Sequence, residues 1–140
     1  AQENVVAAGM EERIRIVCAR AEEWLIKARQ ENLAEVDLVM CFAMFHDLLN
    51  VAGLAERFLA DLVQALRPGS YILIQDQMQL PPGHSSHNWV AGFELVHHFM
   101  GQKLFPRAIY EQTLRSSGLT IVSCVDTPIP ENCLFLCKIL

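Results

Sequence analysis

The chain has 140 residues, 52% of them hydrophobic, with 16 acidic against 11 basic side chains and a formal net charge of −5. That length allows one domain, and the acidic balance speaks against a nucleic-acid backbone or an anionic membrane as partner. No apolar run approaches the roughly 20 residues that span a bilayer.

Asn4–Ala8 is helical in character, with Gly9 placed to cap it. A chain that opens on the end of a helix implies a preceding amino-terminal segment. Arg13–Cys18 alternates and then turns apolar, which predicts a strand. Glu22–Arg29, around Trp24 and Leu25, predicts a short helix. Val36–Phe42 is nearly apolar throughout, as a parallel strand covered on both faces should be. It is followed by His46 and Asp47, and Asp47 is placed to cap the next helix. That helix is predicted over Leu54–Leu66, from apolar residues at 54, 55, 58, 59, 62, 63 and 66. Pro68-Gly69 stops it, and Tyr71–Gln75 is the next strand, with Asp76 at its end.

Leu80–Ser86 reads as a loop rich in Pro, Gly, His and Ser. Trp89–Met100 predicts a helix ending at Gly101. Pro106 suits the first turn of another and Gly118 its carboxyl-terminal cap. Leu119–Val125 and Cys133–Leu140 are the last two strands. The seven residues between them are too few for a crossover helix, so this pair should be antiparallel. The order predicts an α/β chain, mostly parallel, with an antiparallel edge. The cysteines are five, an odd number, and most lie in predicted strands; buried, reduced thiols and a cytoplasmic location are expected. Cys133 and Cys137 lack zinc-knuckle spacing, being about 13 Å apart in a strand. His84, His87, His97 and His98 raise a metal hypothesis, and the first three could give three imidazoles, but adjacent His97 and His98 point about 100° apart on a helix and no Cys or acid has convincing ligand spacing beside them, so no metal centre is expected.

In an open parallel sheet, ligands bind beyond the carboxyl ends of the strands. His46 and Asp76 should stand side by side past two such ends. An imidazole is suited to moving a proton near neutral pH, and a carboxylate on its far nitrogen would fix its tautomer.

The ordered segments AAGMEERIRIVCARAEEW, VDLVMCFAMFHDL, LADLVQALRPGSYILIQD and FELVHHFMGQKLFPRAIYEQTLRSSGLTIV resemble the carboxyl-terminal two-thirds of class I S-adenosylmethionine-dependent methyltransferases. Among these, the chain is most similar to the small-molecule O-methyltransferases. The resemblance covers nearly all 140 residues, as one partial catalytic domain from the third strand onward. It implies a Rossmann-like sheet without its first two strands, and S-adenosyl-L-methionine as cofactor. It also implies methyl transfer to a small-molecule acceptor, most simply at a hydroxyl. His46 takes the general-base position and Asp76 that of the acid orienting it. Arg20, Ala21, Glu22, Cys41, Phe42 and Ala43 fall in cofactor-binding positions, and Trp89, Leu95 and Phe99 in the acceptor pocket. Arg20 departs from the acid usual at its position, and Leu104 stands where a second acid near the base is often found. The family's glycine-rich loop and the acid that holds the ribose occur nowhere in these residues. Strands should therefore come from an amino-terminal segment or a partner chain, a second copy being one candidate. The alternative is a non-catalytic methyltransferase-like module or split subunit paired with such a partner. A dinucleotide-binding oxidoreductase fragment is a third reading, which the Arg67-Pro68-Gly69 turn fits less well.

Overall fold

The computed structural model describes residues 1–28, 35–81 and 88–140. Its elements, in chain order, are α1 (Gln2–Ala7), α2 (Ala21–Ala28), β1 (Leu38–Phe42), α3 (Phe45–Leu49), α4 (Leu54–Ala65), β2 (Tyr71–Gln77), α5 (Asn88–Phe99), α6 (Arg107–Ser116), β3 (Leu119–Asp126) and β4 (Asn132–Ile139). Among the described residues no helix is long and apolar enough to cross a membrane.

The sheet has the order β1-β2-β4-β3. β1 and β2 are parallel, and β4 runs antiparallel to both β2 and β3. Three strands thus point one way and the last strand points back. The expected antiparallel strand is real, but it is not an edge. It slots between β2 and β3, because the short 127–131 connection lets β4 fold straight back along β3 while its other side pairs with β2. Val122 is a bulge residue in β3, between the Ile121–Cys137 and Ser123–Leu136 pairs.

The expected strand over Arg13–Cys18 does not form. Its residues are exposed, and among the described residues β1 pairs only with β2. A strand exists through its ladder, and this segment has no ladder partner here.

One face of the sheet carries the core. Alternation along β2 puts Ile72, Ile74 and Asp76 on that face, all fully buried. α4 covers it with Ala55, Phe58, Leu59 and Leu62, the stripe its helical spacing predicts. Phe45, Leu48, Tyr110, Leu114 and Phe135 complete the cluster. The Tyr110 and Phe135 rings stack with centroids 6.1 Å apart. Each such large side chain contributes about 2–3 kcal/mol on burial. On the other face of β1, Leu38, Met40 and Phe42 are all exposed.

α4 ends where Leu66 turns extended. Arg67 to Ser70 then form a turn closed by Ser70 N–H donating to the Arg67 carbonyl (3.2 Å). Pro68 and Gly69, with Gly69 at φ 91°, occupy the central positions of a type II turn, which needs that left-handed backbone at its third residue. Cys41, Cys133 and Cys137 are buried as expected, whereas Cys18 and Cys124 are exposed; all five are free thiols. Burial pushes the Cys41 thiol up to about 11 and the Cys137 thiol up to about 12, so neither is a nucleophile near neutral pH.

Candidate functional site

β1 ends at Phe42, paired with Gln75 of β2, and Ala43 N–H still donates to the Gln75 carbonyl (2.9 Å). Ala43 then takes φ 50°, in the left-handed region. This reverses the chain and stands α3 directly over the end of β2. A non-glycine residue held there costs about 1 kcal/mol, and such strain collects at sites that must hold a particular backbone path.

His46 lies in the first turn of α3, where backbone N–H groups have no partner within the helix. Its N–H donates to Asp76 Oδ2 (2.7 Å). Its ring Nδ1 meets Asp76 Oδ1, also at 2.7 Å. Gln77 N–H donates to the same Oδ1 (2.9 Å). The buried carboxylate is thus held by three donors and serves the start of α3 as a cap supplied from β2, favoured by the helix dipole as well. The expected meeting of His46 and Asp76 beyond two adjacent parallel strands is what the structure contains. Burial opposes charge on His46. The hydrogen bond and charge of Asp76, with Asp47 adding to them, outweigh it, and the imidazole holds its proton above the ordinary histidine range.

Asp47 does not cap α4. It sits in the first turn of α3, and α4 starts at Gly53 without a side-chain cap. The reason is that the chain forms a separate five-residue helix before α4, which the sequence expectation did not include. Asp47 Oδ1 instead accepts from Gln102 Nε2 (2.8 Å) and lies 3.5 Å from His46 Nε2.

The ring on the far side of His46 is His97, which the sequence offered only as a metal ligand beside His84 and His87. Its Nε2 is 3.0 Å from His46 Nε2, and its Nδ1 is 2.8 Å from the Phe93 carbonyl one turn earlier in α5. Phe93 sets its edge toward His46, with centroids 5.9 Å apart. The α5 face that reaches His46 therefore carries Phe93 and His97. Leu95 and Phe99 lie about 200° around the helix from His97 and are solvent-exposed, Phe99 at 79%. The spacing that pairs Phe93 with His97 is the ordinary i, i+4 rule, and it was the signal available.

α5 is anchored at its end. Gly101 N–H donates to the His98 carbonyl and Gln102 N–H to the His97 carbonyl, with Gly101 at φ 73°. This is the Schellman arrangement, for which glycine suits the left-handed residue. It delivers Gln102 to Asp47. Beside it, Asn50 bonds to both backbone groups of Lys103 and to the His46 carbonyl. Leu104 is buried, and the second acid beside His46 Nε2 is Asp47, 3.5 Å away.

Arg20 and Ala21 line a cleft of about 340 Å³ together with Met44, Asp47, Leu48 and Gln102. Gln102 Oε1 is buried without a hydrogen-bond partner among the described residues. Gln102 lines the cleft, and an orphaned acceptor on a cleft residue suits a ligand that brings a donor. Cys41 is instead a core residue, and Phe42 and Ala43 are exposed at the end of β1. The side chains of Glu22 and Trp89, and all of His84 and His87, lie outside the described residues.

In structure the chain is similar to the mitomycin 7-O-methyltransferase MmcR (TM-score 0.71, 14% identity), covering 99% of this chain and 38% of that one. It is also similar to an O-methyltransferase family protein from Burkholderia thailandensis (TM-score 0.63, 20% identity, 98% and 39%). A third is LepI, solved with SAH and a substrate analogue (TM-score 0.57, 18% identity, 74% and 26%). No protein-family model matches the chain, and no curated protein matches its sequence. The chain has the fold of a portion of these structures, and spans about two-fifths of the length of MmcR.

Proposed function

We propose that the protein carrying this chain transfers a methyl group from S-adenosyl-L-methionine to a small-molecule acceptor, at a hydroxyl, with His46 as general base. The observation that carries the reading is the His46–Asp76 pair, two contacts of 2.7 Å, at the carboxyl ends of two parallel strands in this fold. The cofactor, when bound, supplies an electrophilic methyl carbon on a sulfonium. Arg20 and Ala21 would hold it in the cleft that Gln102 also lines, with Glu22 completing the strand-to-helix turn. Cys41, Phe42 and Ala43 belong to the same expectation, Cys41 by shaping the core beneath the site.

His46 would take the acceptor proton on Nε2, the nitrogen not bonded to Asp76. Asp76 fixes the tautomer and stabilises the imidazolium that forms. Phe93 and His97 form the wall on the other side of that nitrogen. Trp89, Leu95 and Phe99 remain the acceptor-side residues of this reading, on the helix that supplies that wall. The outer edge of β1, unpaired among the described residues, supports completion of the sheet by an amino-terminal segment or a partner chain, a second copy included. Five free thiols support a cytoplasmic protein.

The test is methyl transfer by the intact protein with labelled S-adenosyl-L-methionine. His46→Ala should lower turnover by about tenfold to a hundredfold and leave cofactor affinity nearly unchanged. Full turnover in that variant would remove His46 from the mechanism.

A further inference from the structure

The contact between His46 and His97 requires a positive charge, a proton or a metal ion, between the two rings. The Phe93 carbonyl can only accept, so the His97 Nδ1 that meets it carries the hydrogen. Ionised Asp76 likewise only accepts, so His46 Nδ1 carries a hydrogen too. In neutral rings these assignments leave both Nε2 atoms bare. They then face each other at 3.0 Å, lone pair against lone pair. Something positive belongs between them.

We propose that His46 Nε2, His97 Nε2 and Asp47 Oδ1 form a binding site for a divalent transition ion of the zinc class. The three donor atoms lie within 4.8 Å of one another. Zinc takes imidazole nitrogen at about 2.0–2.1 Å, so two nitrogens on a tetrahedral ion stand about 3.3 Å apart. The pair needs to open by only a few tenths of an ångström. Each ligand also has the outer partner that metal ligands use. His46 donates its other ring N–H to a carboxylate, Asp76, and His97 donates its own to a backbone carbonyl, Phe93. The Asp47 carboxylate is steered by Gln102 Nε2. Asp47 and Asp76 supply two negative charges, matching a divalent cation. A shared proton would account for the two rings but requires neither Asp47 nor Gln102.

Asp47 is half-exposed, which gives an entry path, while the two rings are buried. Three protein ligands leave a fourth position open. The site stands on this geometry and not on methyl transfer. An ion there uses the lone pair that proton abstraction needs, so occupancy and base catalysis exclude each other at His46.

Metal-free protein titrated with zinc chloride in a calorimeter should bind one equivalent at this site with micromolar affinity or tighter. Cobalt(II) should give the visible absorption bands of a four-coordinate ion with nitrogen and oxygen ligands. His97→Gln and the half-exposed Asp47→Asn should each weaken binding by about tenfold or more, with the fold checked by circular dichroism. No saturable binding would overturn the proposal and leave a shared proton between the rings. So would unchanged affinity in both variants, or cobalt–thiolate charge-transfer bands, which would put the ion on cysteine.

Discussion

Asn50 and Lys103 exchange two hydrogen bonds across 53 residues: Asn50 Nδ2 donates to the Lys103 carbonyl and Lys103 N–H donates to Asn50 Oδ1, both at 2.9 Å. The same amide also donates to the His46 carbonyl (2.8 Å). One side chain thus joins α3, which holds His46, to the segment leaving α5, which holds His97. It adds a backbone tie to the direct contact between the two rings.

Asn50→Ala removes all three bonds. Lys103 is exposed enough for water to take up part of the loss, so the expected cost is about 1–2 kcal/mol of stability. Urea unfolding monitored by circular dichroism reads it. An unchanged midpoint would mean that the rings are held together by their own packing.

Asp76→Asn is the sharper substitution. Every partner of this carboxylate is a donor: His46 N–H, His46 Nδ1–H and Gln77 N–H. An amide must turn its NH2 group onto one of them, with no exposure to water for relief. We expect a loss of about 3 kcal/mol, well above that of Asn50→Ala, again by urea unfolding. Equal losses for the two variants would contradict the donor count.

The apolar face of β1 gives a third prediction. Leu38, Met40 and Phe42 are 43%, 59% and 52% exposed on a strand whose outer edge is unpaired among the described residues. Such an edge invites association. The 140-residue chain should self-associate in sedimentation velocity, and Met40→Lys should reduce that association without lowering the melting temperature. Identical sedimentation of the two would show that this face is not the sticky one.

The fourth concerns the cofactor. The 140 residues contain no glycine-rich loop of the kind this fold uses to cradle S-adenosylmethionine. The chain by itself should bind it weakly or not at all. A calorimetric titration giving micromolar affinity would show that the cleft at Arg20 and Ala21 suffices.

The sequence by itself determined the elements from β1 to β4, except α3, which it did not mark. Periodicity marked a helix over Leu54–Leu66 and the two buried strands, Pro68-Gly69 marked the end of that helix, and the seven residues 126–132 required β3 and β4 to be antiparallel. It also paired His46 with Asp76, because strand ends in a parallel sheet meet at a common rim. Only the tertiary structure decided the rest. Arg13–Cys18 is not a strand, because a strand needs a neighbour to bond, and no local pattern states whether one is present. The last strand is internal because β2 had a free side, which is a property of the sheet and not of any segment. His97 faces His46 because a Schellman turn at Gly101 and the Asn50 amide fix the end of α5 against α3. Those contacts join residues about 50 positions apart. Spacing rules act within an element and are silent on which elements will touch.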